Sequence, residues 1–126
     1  MAEPYQYALW RVVPRIDRGE QLNAGVVVFS RRQGFLAART QLDRARLAAL
    51  DPSADAAAIE ALLARRVAVA AGDVARGGSV AALEPSERFG WLVAPSSTVV
   101  QPSAVHTGLC EDPQACLDRL FAELVL

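Results

Sequence analysis

Three apolar segments in the first 40 residues have the composition of β-strands. The segment YQYALWRVVP (residues 5–14) is rich in aromatic and β-branched residues and stops at Pro14. The segment LNAGVVVFS (22–30) has a continuous apolar core, which indicates that both of its faces are covered. A tight turn, RRQG, leads to the short segment FLAART (35–40). Together these segments predict an antiparallel meander.

Apolar residues at helical spacing follow. Asp43 begins a short helix, DRARLAAL, and a longer helix ends at Gly72, with Ile59, Leu62, Leu63 and Val67 recurring at helical spacing. The last segment, DPQACLDRLFAELVL, predicts a helix with an apolar stripe at i, i+3, i+4 and i+7. The stripe consists of Leu117, Leu120, Phe121 and Leu124.

The region between these helices is less regular. Residues 73–87 predict a loop that contains Gly77-Gly78 and Pro85. RFGWLVAP and STVVQPS predict two more strands, and AVHTGL fits either a strand or a loop. The order β-β-β-α-α-β-β-α predicts a single α+β domain over residues 1–126. We expect an antiparallel or mixed sheet of about five strands, with helices packed on one face.

Composition restricts the chemistry. The chain has 126 residues, 52% of them hydrophobic, enough for one buried core. All 13 basic residues are arginine, which excludes Schiff-base chemistry and a Walker-type lysine. Residues 1–46 hold eight arginines and four acids, a net charge of +4, whereas residues 47–126 hold five arginines and ten acids, a net charge of −5. This asymmetry permits an anionic partner on the N-terminal side, but it is not a strong basic stripe, and the sequence pI of about 5.8 argues against a dedicated nucleic-acid binder.

Location and metal chemistry are constrained by what the sequence lacks. No run of 18 apolar residues and no signal-peptide pattern is present, so we expect a cytoplasmic protein. Cys110 and Cys116 do not have the spacing of zinc ligands, and His106 is the only histidine. We therefore predict no metal and no cofactor. The two cysteines are interpreted as ordinary thiols, with a redox pair as the alternative.

The segment GEQLNAG, which enters the second strand, is not a phosphate loop. It lacks the G-x-G-x-x-G spacing and precedes a strand, whereas a dinucleotide fingerprint opens a helix. Gly25 is predicted to mark a bulge or close packing against an aromatic ring or a helix. Asn23, expected on the same face as Gly25, is predicted to fix the turn through side-chain-to-backbone bonds, with a ligand contact as the alternative.

Arg11 and His106 are the other polar residues of interest. Arg11 lies among apolar residues, so a buried guanidinium there needs a partner. Glu20 or Asp17 could tie it structurally; the alternatives are an anion-binding arginine and plain exposure. His106 could act as a general base or have a structural or ligand-contact role. No nucleophile elbow surrounds the nearby serines, so no catalytic residue is assigned.

Several of these motifs together resemble the bacterial DUF3037 family. The resemblance covers nearly the whole chain and rests on Y-x-x-x-R-x-x-P (Tyr7 to Pro14), R-G-E-x-x-N-x-G-V (Arg18 to Val26), an L-D-x-x-R-L segment (Leu42 to Leu47) and a V-H-x-G-L motif (Val105 to Leu109). It implies a small bacterial cytoplasmic protein of uncharacterised function. It also implies a protein partner, because family members are often encoded beside a HipA-like kinase. Ser96 departs from the family pattern, in which an arginine is frequent at that turn.

Three functional hypotheses follow. The first is an accessory module that binds a protein partner, such as a HipA-like kinase, through an apolar patch with Arg18, Arg31 and Arg32 at its rim. The second is a small-ligand or phosphate-binding domain, or an enzyme, in which four polar side chains converge. These are Arg11, Glu20, Asn23 and His106. The third and weakest is binding of RNA or single-stranded DNA by arginines of residues 11–46 beside a tryptophan.

Overall fold

The computed structural model describes all residues from 1 to 126 and consists of five strands and five α-helices. The strands are β1 (Glu3–Val12), β2 (Leu22–Ser30), β3 (Phe35–Thr40), β4 (Val100–Pro102) and β5 (His106–Cys110). The helices are α1 (Arg44–Leu50), α2 (Ala56–Ala71), α3 (Val74–Gly77), α4 (Pro85–Leu92) and α5 (Pro113–Leu124), with a 3₁₀ turn at Ser79–Ala82. The predicted α+β class and antiparallel sheet are confirmed.

The sheet is antiparallel throughout, with strand order β3-β2-β1-β4, and β5 also pairs with β1. The last residues of β1 pair with β4, and residues 3–7 of β1 pair with β5. Ser103 lies between the two short strands and continues the ladder. Its N–H donates to the Leu9 carbonyl at 2.8 Å, and the Leu9 N–H donates to Ser103 Oγ at 2.9 Å. One edge of the sheet is therefore made of two strands in sequence.

Helices cover both faces of the sheet, so the prediction of helices on one face is wrong. Trp10 belongs to a buried cluster that includes residues of α1, α2 and α4. Leu9, which points the other way, belongs to a second cluster built with α5. The amphipathic stripe of α5 needs an apolar surface, and β2 offers one on each side. The continuous apolar run of β2, six buried residues in a row from Ala24 to Phe29, is the sequence signal for this two-sided cover.

The segment RFGWLVAP is not a strand, which corrects a second prediction. It forms most of α4, which begins at Pro85, a residue whose fixed φ suits the first turn of a helix. Phe89 and Leu92 are buried three residues apart, while Trp91 is 39% exposed. The helical period of burial outweighs the strand-like composition. The later pair of strands is instead formed by STVVQPS, which contains β4, and by AVHTGL, which contains most of β5.

A β-bulge interrupts the pairing of β1 with β2, as predicted for Gly25. Gly25 lies opposite Trp10, and Asn23 lies opposite Arg11, so Ala24 is the extra residue. The extra residue breaks the alternation of side chains. Asn23 therefore points to the α5 side, whereas Gly25 faces the Trp10 ring, and the expectation that the two share a face is wrong.

Candidate functional site

The four polar residues of the second hypothesis do not form one cleft. Arg11 and Asn23 are cross-strand neighbours near the end of β1, and Glu20 lies in the connection between β1 and β2. His106 pairs with Tyr7, four residues before Arg11, which is about 13 Å along the strand. None of the five principal cavities is lined by any of the four.

The predicted tie between Arg11 and a nearby carboxylate is absent. Glu20 pairs with Arg18, and Asp17 pairs with Arg15 at 2.7 Å, all on exposed side chains. The hydrogen bond from Arg18 is the main reason that the pKa of Glu20 lies below its usual value. Arg11 forms no salt bridge, and its buried Nε has no hydrogen-bond partner. Each carboxylate of the connection thus pairs with an arginine two residues earlier in the chain, because the turn brings these side chains together.

Asn23 has a structural role, but not the predicted one. Its Nδ2 donates to the carbonyl oxygen of Leu124 at 3.0 Å. This bond joins the start of β2 to the last residue of α5, 101 positions later in the chain. Asn23 therefore fixes the end of α5 on the sheet and not the turn that precedes it.

His106 is exposed and lies on a strand rather than in a cleft. Its ring packs against Tyr7, with ring centroids 5.2 Å apart and planes tilted by 35°. It makes no side-chain hydrogen bond, and the hydroxyls of Ser96 and Thr98 are both bonded to the Val100 carbonyl. No carboxylate orients the imidazole and no nucleophile adjoins it, so the described residues form no triad around His106.

A groove of about 340 Å³ lies at the opposite end of the sheet from the β1–β2 connection. Its floor crosses three strands, because Gln6 of β1 pairs with Phe29 of β2 and with Thr107 of β5. We call it the arginine groove; it is lined by Pro4, Tyr5, Gln6, Phe29, Arg31, Arg32 and Thr107. No sequence pattern predicts it, since its residues come from three distant segments.

The arginine groove is positively charged. The Arg31 guanidinium lies 6.0 Å from the centroid of the Phe29 ring and has no carboxylate partner. Arg32 has a side chain that is 74% exposed and reaches Glu3 only at 3.7 Å. A bidentate carboxylate or phosphate is the group that such guanidinium forks bind best. Arg18 lies at the other end of the sheet and pairs with Glu20, so it does not belong with Arg31 and Arg32.

The β5 edge, residues 106–110, borders this groove and is not protected against pairing. It contains no charged residue and no proline, and among the helices and strands its extensive contacts are with β1 alone. Leu109 is 70% exposed and lies beside Pro4, on the same face as Thr107 and the groove. Every second residue of such a strand directs its N–H and C=O away from the sheet.

The other edge of the sheet differs. Strand β3 is flanked by α2 and α5. Arg39 of β3 pairs with Asp118 at 3.1 Å, and its guanidinium lies 4.2 Å from the Phe121 ring centroid. A charged side chain and two helices are devices that block a sheet edge. Sequence reasoning left residues 104–109 between strand and loop and so missed the exposed edge; the absence of charge between His106 and Cys110 is the signal that could have found it.

The fold and this surface define a small α+β domain with one open sheet edge. The family model described as "Protein of unknown function (DUF3037)" matches residues 7–125, so the chain belongs to the DUF3037 family. No curated protein and no solved structure matches the chain.

None of its helices has the length and apolar character needed to cross a membrane. No three of its His, Cys, Asp and Glu side chains are grouped so that they could hold a metal ion.

Proposed function

We propose that the protein is an interaction module that binds an extended acidic segment of a protein partner along the β5 edge. The observation that carries the proposal is the position of this uncharged, unpaired edge directly beside the arginine groove. Main-chain hydrogen bonds to an added strand supply affinity without requiring a particular sequence. Specificity comes from the side chains that lie next to the strand.

Two arginines select the charge of that segment. The partner strand pairs with β5, and the acidic residues that flank it cross the groove near Arg31 and Arg32. Arg31 has no internal carboxylate to displace, and Arg32 has only the long contact with Glu3. The net charge of +4 on residues 1–46 also speeds the encounter with an acidic surface.

A HipA-like kinase is the first candidate partner, because the family resemblance implies one. The alternative of a small-ligand site made of Arg11, Glu20, Asn23 and His106 is not advanced as a second function. His106 lies about 13 Å along the sheet from Arg11 and Asn23, and none of the four residues lines a principal cavity.

The test measures the affinity of the purified protein for a purified HipA-like kinase from a genome that encodes both, by isothermal titration calorimetry. Two variants probe the proposed surface: Leu109→Lys places a charge on the β5 edge, and Arg31→Glu reverses a charge of the groove. Each has a matched control. Leu62→Lys alters another exposed leucine, on α2, and Arg46→Glu reverses another arginine without a carboxylate partner, on α1.

The proposal predicts that both surface variants weaken binding at least tenfold and that both controls stay within about twofold, as distant surface changes do. If binding survives both surface changes, the proposal that the partner docks on the β5 edge and the arginine groove is contradicted. A kinase that does not bind the wild-type chain would contradict the choice of partner.

A further inference from the structure

The sheet is not covered by a helix at the arginine groove. Gln6 lies in β1 between β2 and β5, and yet it is exposed. Thr107, its partner on β5, is exposed on the same face of the sheet. Phe29, its partner on β2, is buried, and the Arg31 guanidinium lies over the Phe29 ring. A group that enters the groove therefore meets polar side chains on its floor and a guanidinium at its β2 side.

The polar side chains of the groove have unused hydrogen-bonding groups. The Gln6 amide and the Thr107 hydroxyl make no hydrogen bond within the chain, and Arg31 pairs with no carboxylate. Arg32 reaches Glu3 at 3.7 Å, which is longer than a hydrogen bond. None of the seven lining residues is acidic. The groove thus offers two positive charges and two neutral hydrogen-bond donors to a group that enters it.

This set of donors fits a phosphoryl group better than a carboxylate. A carboxylate presents its oxygens in one plane, and the fork of a single guanidinium binds both of them. A phosphoryl group on a serine or threonine carries a charge of about −2 and has three acceptor oxygens, so it binds donors that approach from several directions. The groove supplies donors from β1, from β5 and from the turn that follows β2.

We propose that the arginine groove binds a phosphorylated serine or threonine in the part of the docked segment that flanks the added strand. This inference rests on the proposed docking at the β5 edge and names the chemical group that the groove selects. All four polar side chains line the same cavity of about 340 Å³, so one phosphoryl group can accept hydrogen bonds from several of them. Arg32 exchanges its long contact with Glu3 for hydrogen bonds to phosphoryl oxygens.

The first arm of the test examines the groove without a peptide. The isotope-labelled full chain is titrated with inorganic phosphate or with acetate at equal ionic strength, and its backbone amides are followed by NMR. Phosphate is expected to shift the signals of the groove residues, and acetate is expected to leave them in place. The double variant Arg31→Gln/Arg32→Gln should lose the phosphate response. Arg46→Gln, which changes an arginine of α1 far from the groove, should keep it.

The second arm uses three peptides, X-Gly-Val-Thr-Val-Thr-Gly-X, in which X is phosphoserine, glutamate or serine at both ends. The central residues favour a strand, and the two copies of X allow for either direction of the added strand. The phosphoserine peptide is expected to bind about tenfold more tightly than the glutamate peptide, and the double variant should lose this preference. Its binding should also shift the amide signals of residues 106–110.

The outcomes separate this inference from the docking on which it rests. Equal affinity of the phosphoserine and glutamate peptides, with shifts in residues 106–110, would overturn the phosphoryl site and support docking at the edge. Peptides that leave the signals of residues 106–110 unchanged would contradict the docking itself and with it this inference. Inorganic phosphate that binds as tightly as the phosphoserine peptide would assign the groove to free phosphate and overturn the inference.

Discussion

Gly25 lies so close to Trp10 that position 25 has no room for a side chain. A Cβ there would be 2.9 Å from Trp10 Cε3 and 2.8 Å from Thr40 Cγ2. Trp10 cannot move away, because it is fully buried and its Nε1 donates to the Leu92 carbonyl at 3.1 Å. The bulge in β2 and the packing of α4 on the sheet therefore depend on the same glycine.

Replacement of this glycine is expected to destabilise the protein. Gly25→Ala forces the Trp10 ring or the β3 backbone to shift, which costs about 1–3 kcal/mol of unfolding free energy. Urea unfolding followed by tryptophan fluorescence measures the loss. Gly90→Ala is the matched control, because a Cβ at position 90 meets nothing within 4 Å and alanine favours the helix by about 1 kcal/mol. Equal destabilisation by both changes would contradict the close-packing account.

Much of the first third of the chain is predictable from its sequence, and the reasons are local. The strands around Trp10 and Val27 follow from β-branched and aromatic residues, and Gly25 could be predicted as a bulge or a close approach. The partner of Asn23 could not, because the carbonyl of Leu124 is 101 positions away. The face that Asn23 occupies also depends on one inserted residue, Ala24, which no period-two pattern reveals.

In the middle of the chain, local composition predicts the wrong secondary structure. RFGWLVAP has the composition of a strand, but Pro85 starts a helix that buries Phe89 and Leu92 against the sheet. The ion pairs of the β1–β2 connection are a further case. The sequence predicts a tie from Arg11 to Glu20 or Asp17, but Glu20 pairs with Arg18 and Asp17 pairs with Arg15. Such ion-pair choices depend on the geometry of a few turn residues, which residue type alone does not specify.

The half-buried guanidinium of Arg66 is expected to contribute little or nothing to stability. It lies 5.7 Å from the Trp10 ring centroid and 5.8 Å from that of Trp91, and it has no carboxylate partner. Burial, followed by the charge of Arg65, lowers its pKa, so folding disfavours its charged form. Because arginine stays protonated at neutral pH, this desolvation reduces the free energy of unfolding.

Arg66→Met keeps an apolar stem and removes the charge. It also removes the hydrogen bond that Arg66 Nη1 donates to the Leu92 carbonyl at 3.4 Å, but that carbonyl still accepts from Trp10 Nε1. The variant should match the wild type or exceed it by about 1 kcal/mol in chemical denaturation. Arg39→Met, which loses a pairing with Asp118 and the Phe121 ring contact, should instead lose about 0.5–1 kcal/mol. A large loss for Arg66→Met alone would show that its aromatic contacts outweigh the desolvation.

The phenol of Tyr5 should ionise at a higher pH than an ordinary tyrosine. Burial is the main cause that raises its pKa from 10.0 to about 12, with a contribution from Cys116. Between these two values the folded state holds a proton that the unfolded state has lost, so stability falls as the pH rises above 10.0. Ultraviolet titration of the tyrosinate absorbance reports the ionisation. The transition near pH 12 should disappear in Tyr5→Phe; its persistence there would assign it to Tyr7.

Glu60 is expected to contribute to the loss of stability at acid pH. The hydrogen bond from Arg44 is the main cause that lowers its pKa below 4.5, and this pair joins α1 to α2. A carboxyl with a lowered folded-state pKa stabilises the protein above pH 4.5 and loses that contribution as the pH falls through its folded-state pKa. Melting temperatures between neutral pH and about pH 3 should fall less steeply for Glu60→Gln than for the wild type. Identical curves for Glu60→Gln and the wild type would contradict the prediction.

The central claim, that a partner adds a strand to the β5 edge, is tested most directly by site-specific photocrosslinking. A benzophenone amino acid replaces Leu109 on the edge or, as a control, Ile16, which is 56% exposed in the β1–β2 connection. Each protein is irradiated with the HipA-like kinase from the same genome, and the crosslinked peptide of the kinase is sequenced. The account predicts a crosslink from position 109 to one extended acidic segment, and none from position 16. Crosslinking from position 16 alone, or a complex that forms with no crosslink from position 109, would contradict docking at the β5 edge.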